Sequence, residues 1–102
     1  MGWDWMNPWF DQLGDLFVRA AAARKVGIDA PRLEPSLAEE LLELARVTAH
    51  SQERRFAPLT CFMAGVAVER LRRADTGATP EEVAAYLHSV RLELETEPRQ
   101  AS

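Results

Sequence analysis

The sequence predicts an all-α fold, a single domain built as a bundle of four helices with the third helix mostly buried. Three observations predict it. Capping residues and prolines recur, each followed by an apolar stripe at spacings of three and four residues. No run alternates convincingly with period two, and no turn pair marks a hairpin. The chain has 102 residues, 47% hydrophobic and 27% charged, a size and composition that suit one soluble globular domain. Residues 1–7 read as an aromatic N-terminal arm and residues 96–102 as a polar tail.

Asn7-Pro8 opens the first helix: asparagine caps, and proline occupies the first helical position, where a missing N–H costs nothing. The stripe Trp9, Leu13, Leu16, Phe17, Ala20 forms its inner face, and Gly27 is expected to stop it. Residues 28–35 hold two prolines and read as a connector. Ser36-Leu37-Ala38-Glu39 is a capping box for the second helix, whose inward line is Leu41, Ala45 and Thr48 with Leu37 and Leu44 beside it. The third helix is expected from about Pro58 to Asp75; with no charge from Leu59 to Val68, it should be largely surrounded. Ala57, Cys61 and Gly65 give it a small-residue edge that a neighbouring backbone could approach. Gly77 ends it, and Thr79-Pro80-Glu81-Glu82 is a second capping box, opening a fourth helix with Val83, Tyr86, Leu87, Val90 and Leu94 inward.

The net charge of −4 argues against a general nucleic-acid binder. Charge is uneven: residues 51–80 carry +2 and residues 81–102 carry −3, so an anionic partner should meet the middle of the chain. Cys61 is the single cysteine, which rules out an internal disulfide. No membrane span and no secretory leader are read, so a cytoplasmic location is expected.

Polar chemistry concentrates between the second and third helices. A helix start at Pro58 would leave the amides of Leu59 and Thr60, and the Thr60 hydroxyl, free to point outward beside Arg54 and Arg55. Helix N-termini attract anions, and arginine adds bidentate geometry. His50, Arg54, Arg55 and Thr60 therefore form a candidate anion-binding corner. The alternative is that Ser51 or Glu53 caps the third helix, the arginines are solvated and His50 packs at a helix end. His50 and Glu53 could share one helical face as metal ligands, but two ligands fall short of a zinc site, and no metal is expected. Cys61, between Thr60 and Phe62 in the most apolar helix, lacks the electropositive setting of a reactive thiolate. No phosphate-cradling loop, serine elbow or carboxylate pair in distinct environments is present, so no enzyme and no catalytic residue is expected.

Trp3, Trp5, Trp9 and Phe10 place half of the aromatic residues in the first ten positions. Tryptophan buries much area with few rotatable bonds, so these four are candidate partner-binding residues. Folding of Trp3 and Trp5 back over one end of the bundle is the competing reading.

The run Leu41-Leu42-x-Leu44-Ala45-Arg46-x-x-Ala49-His50-x-x-Glu53-Arg54, followed by Ala57-Pro58-Leu59-Thr60-x-Phe62-x-x-Gly65-x-Ala67, resembles a small uncharacterised bacterial helical domain. That domain occurs alone or appended to molybdenum cofactor guanylyltransferases, which make molybdopterin guanine dinucleotide. The resemblance implies a non-catalytic accessory protein or subunit of the molybdenum-cofactor system. Its larger partner would be a molybdoenzyme such as formate dehydrogenase, or a cofactor-maturation protein. It supplies no catalytic residue. Molybdopterin guanine dinucleotide is the cofactor it brings into view, and a module binding that dinucleotide's phosphates directly is the alternative, as is a helical adaptor with no cofactor link.

Overall fold

The computed structural model describes residues 7–96, and among them the chain is all α, with no strand. The helices are α1 (Pro8–Ala23), α2 (Pro35–Ser51), α3 (Phe56–Ala74) and α4 (Pro80–Thr96). The chain divides into two compact units, with the boundary between Pro35 and Ser36.

The first unit contains α1 and its connector. Asn7 caps as its sequence position requires, its Oδ1 accepting the Trp9 N–H at 2.9 Å. The helix ends four residues before Gly27. The N–H of Lys25 donates to the Ala22 carbonyl (2.8 Å) and that of Val26 to the Ala21 carbonyl (2.9 Å), with Lys25 at φ 64°. This is a Schellman closure that places a lysine, not the expected glycine, in the left-handed conformation. Gly14 is needed for a different reason: a Cβ there would lie 2.8 Å from the Pro31 carbonyl oxygen. The expected inner stripe of α1 is not buried. Trp9, Leu16 and Phe17 are each about half exposed, and Gly14 is the buried residue of the helix. Among the described residues of this unit the helix has the connector to pack on, and one segment cannot cover a full apolar stripe.

The second unit is organised by α2, α3 and α4. The helix α2 begins at Pro35, so Ser36 sits inside the first turn and is not the cap the capping-box reading required. The box at α4 forms as expected: the Thr79 N–H donates to Glu82 Oε1 (2.8 Å), and the Glu82 N–H donates to Thr79 Oγ1 (3.1 Å). The core consists of Leu37 and Leu44 from α2, Ala64 and Val68 from α3, and Val83 and Leu87 from α4, with Leu41, Leu71, Tyr86 and Leu94 packed around it. The small-residue edge of α3 meets a backbone at one point, where Cys61 Sγ lies 3.8 Å from the Leu41 carbonyl oxygen; Gly65 faces open space.

The largest departure from the sequence reading concerns α3, which is not surrounded. Leu59, Phe62 and Met63 are 62, 71 and 70% exposed. Two neighbouring helices bury one line, Ala64 and Val68, and leave the far side of α3 open.

Candidate functional site

The open side of α3 is a continuous stripe. At helical spacing, Leu59, Phe62, Met63 and Val66 fall within an arc of roughly 100°. Arg55 precedes the stripe on the same face, and Arg70 and Arg73 follow it. A shallow depression of about 570 Å³, lined by Phe62, Met63, Val66, Arg70, Leu71 and Tyr86, lies along it. Single exposed apolar residues are ordinary, but contiguous ones edged by charge mark an interaction surface.

The junction between α2 and α3 is arranged differently from the expected anion corner. The helix starts at Phe56, two residues before Pro58, so Leu59 and Thr60 lie beyond the free first turn and their amides point back along the helix. The N–H of Phe56 donates to the Glu53 carbonyl (3.0 Å) and that of Ala57 to the Arg54 carbonyl (3.1 Å). The outward amides expected at Leu59 and Thr60 are therefore not present, and no side chain caps this helix, neither Ser51 nor Glu53. Arg55 Nε donates to Glu53 Oε1 at 2.7 Å, and its guanidinium lies 5.9 Å from the Phe56 ring centroid, within cation–π range. His50 and Arg54 are exposed, and Thr60 turns into a cleft. No hydrogen bond or ion pair joins these four residues to one another.

That cleft, about 360 Å³, runs among α2, α3 and α4. Leu44, Phe56, Met63, Leu87, Val90 and Leu94 form apolar walls, and none of its lining residues is charged. Thr48 and Ser51 line it too, and both of their hydroxyl oxygens are buried without a hydrogen-bond partner. Thr48 as a whole is 4% exposed. A buried hydroxyl left unpaired costs about 1–3 kcal/mol, so this pair is a feature that demands a reason.

A charge cluster across α2 and α4, built on Glu40, Glu43, Arg46, Arg91 and Glu95, has no counterpart among the sequence expectations. Arg91 Nη1 donates to Glu95 Oε2 (3.2 Å), and Arg46 donates through Nε and Nη2 to Glu43 Oε1. Burial opposes the Arg91 charge, but Glu40 and then Glu95 outweigh it and leave the guanidinium pKa raised. The four-residue spacing of Arg91 and Glu95 was the available signal; the tie from Arg91 to Glu40 had none.

Burial likewise raises the pKa of the half-buried Cys61 thiol, keeping it protonated and poorly nucleophilic. Among the described residues, no cluster of three or more His, Cys, Asp or Glu could hold a metal ion, and no helix is long and apolar enough to cross a membrane. Trp9 is 54% exposed and meets Phe10 edge-to-face at 5.0 Å; Trp3 and Trp5 lie outside the described residues.

Residues 4–101 match the model of a family described as a domain of unknown function (DUF6457). No curated protein and no solved structure matches the chain. The family description names no cofactor, so the molybdenum-cofactor expectation rests on the motif resemblance alone.

Proposed function

The chain belongs to this family, and we propose that it is a non-catalytic accessory protein that binds a larger protein through the outer face of α3. The observation that carries the reading is the stripe of exposed Leu59, Phe62 and Met63, continued by half-buried Val66, with arginines at both ends. The chemistry selects a partner surface with an apolar ridge bordered by carboxylates. The ridge would fill the depression beside Tyr86, and the acids would face Arg55 at one end, Arg70 and Arg73 at the other. Charge of this kind steers association and fixes register, while the apolar centre supplies most of the affinity. A specific contact of this type buries about 800 Å² per partner.

The motif resemblance supports placing that partner in the molybdenum-cofactor system, as a molybdoenzyme such as formate dehydrogenase or a maturation protein. Internally bonded amides at the start of α3 favour a protein surface over direct capture of a dinucleotide's phosphates.

The test is affinity co-purification from the native cell, with identification of the retained proteins and their metal content. Wild-type chain should retain a molybdoenzyme or maturation protein. Phe62→Glu should abolish retention, and Arg70→Glu with Arg73→Glu should weaken it in a salt-sensitive way. Leu16→Glu, at another exposed apolar position, on α1, should leave it intact. Retention unaffected by Phe62→Glu would refute the surface, as would a self-associated dimer dispersed by that change. A retained partner unrelated to molybdenum would refute the cofactor context alone.

A further inference from the structure

We infer that the cleft among α2, α3 and α4 is a binding site for an uncharged small amphiphile, an apolar body carrying one hydroxyl or carbonyl head. This site shares Met63, Ala67 and Tyr86 with the depression on the outer face of α3 but, unlike it, has no charged lining residue. The unpaired hydroxyls of Thr48 and Ser51 supply the first observation, since buried polar groups in folded proteins are nearly always satisfied. The distribution of the lining supplies the second. Four polar side chains gather where α2 ends and α3 begins, Thr48, Ser51, Gln52 and Thr60, whereas Leu87, Val90 and Leu94 of α4 and Met63 and Ala67 of α3 are apolar and Tyr86 of α4 adds a single phenol. A ligand therefore has a defined direction, head toward the junction and body along α4. At about 360 Å³ the cleft falls in the range of small-molecule sites.

The uncharged lining sets the class. A carboxylate, phosphate or ammonium would lose its hydration here with no opposite charge to replace it. A hydroxyl or carbonyl needs one or two hydrogen bonds, which these side chains supply. The Thr48 and Ser51 oxygens lie beneath the cleft surface, and rotation of χ1 between staggered wells brings them to the head group.

The experiment is a titration of the full chain with 1-octanol and with octanoate, followed by heteronuclear NMR. Octanol should give saturable shifts at Thr48, Ser51, Thr60 and Leu87, with octanoate weaker by about tenfold or more. Thr48→Val, which keeps shape and removes the hydroxyl, should weaken octanol about tenfold, while Thr48→Ser should retain binding. Shifts confined to Leu59 and Phe62, equal affinity for the two probes, or full affinity in Thr48→Val would each overturn the assignment. So would a bridging water between the two hydroxyls that octanol fails to displace.

Discussion

Arg91 on α4 donates from Nε to Oε1 of Glu40 on α2 at 3.3 Å, across 51 positions of sequence, with its side chain 14% exposed. Its Nη2 also lies 2.7 Å from Nδ1 of His88, while that same nitrogen lies 3.3 Å from Glu40 Oε2. One ring nitrogen cannot serve both neighbours: it accepts from Arg91 only when unprotonated and donates to Glu40 only when protonated. The shorter distance selects the acceptor role. With Nδ1 as acceptor, the guanidinium joins Glu40, Glu95 and His88.

The first expectation follows from that arrangement. Long-range ¹⁵N–¹H correlation should show the neutral form of His88 as the Nε2–H tautomer. Arg91→Lys should disperse that signature and lower the melting temperature, because an ammonium cannot reproduce the planar fork that meets three groups. An unchanged His88 spectrum in Arg91→Lys would show that the fork does not set the tautomer.

Gly14 and Gly65 should respond oppositely to alanine. At Gly14 the new Cβ would meet the Pro31 carbonyl oxygen at 2.8 Å, and forcing that apart should cost about 1–3 kcal/mol of local stability. The readout is faster proteolysis in the connector and faster amide exchange in α1. At Gly65 nothing lies within 4 Å, so alanine should stabilise the helix by about 0.5–1 kcal/mol, a rise of several degrees in melting temperature.

Lys25→Gly should stabilise the end of α1. Lys25 holds φ 64°, a left-handed conformation that costs an L-residue roughly 1–2 kcal/mol. Slower amide exchange at Lys25-flanking positions, especially Val26, would register the relief. Slower exchange spread over every helix would point to some other cause.

Cys61 should give stability a basic limb. Burial raises its pKa, so between the unfolded and folded values the unfolded thiol is ionised and the native one is not. The unfolded state then binds fewer protons, and stability falls as pH rises above about 8.5. The contribution is fully present below that pH. Cys61→Ala should flatten this limb in urea titrations, and alkylation of the native thiol at pH 8 should be slower than that of an unfolded control.

Local signals in this chain were legible because short-range chemistry decides them. Asn7-Pro8 and the Thr79–Glu82 box act within four residues, and each appears with the bonds its spacing requires. Gly27 misled because a lysine tolerates the left-handed turn at modest cost, and the chain closed the helix earlier. Ser36 misled because Pro35 can itself open a helix. At the α2–α3 junction His50, Arg54, Arg55 and Thr60 were legible as a polar cluster, but the helix register decided which amides point outward.

By itself, then, the sequence determined the helical class, the number of helices and most of their boundaries, all set by periodicity and capping within a turn or two. Tertiary structure alone decided which side of each helix is covered. An uncharged run such as Leu59–Val68 states that burial would be favourable, yet the number of neighbours available limits how much can be buried. That limit exposes Leu59, Phe62 and Met63, and the same packing of α2 against α3 and α4 leaves the Thr48 and Ser51 hydroxyl oxygens buried beneath a cleft without a hydrogen-bond partner.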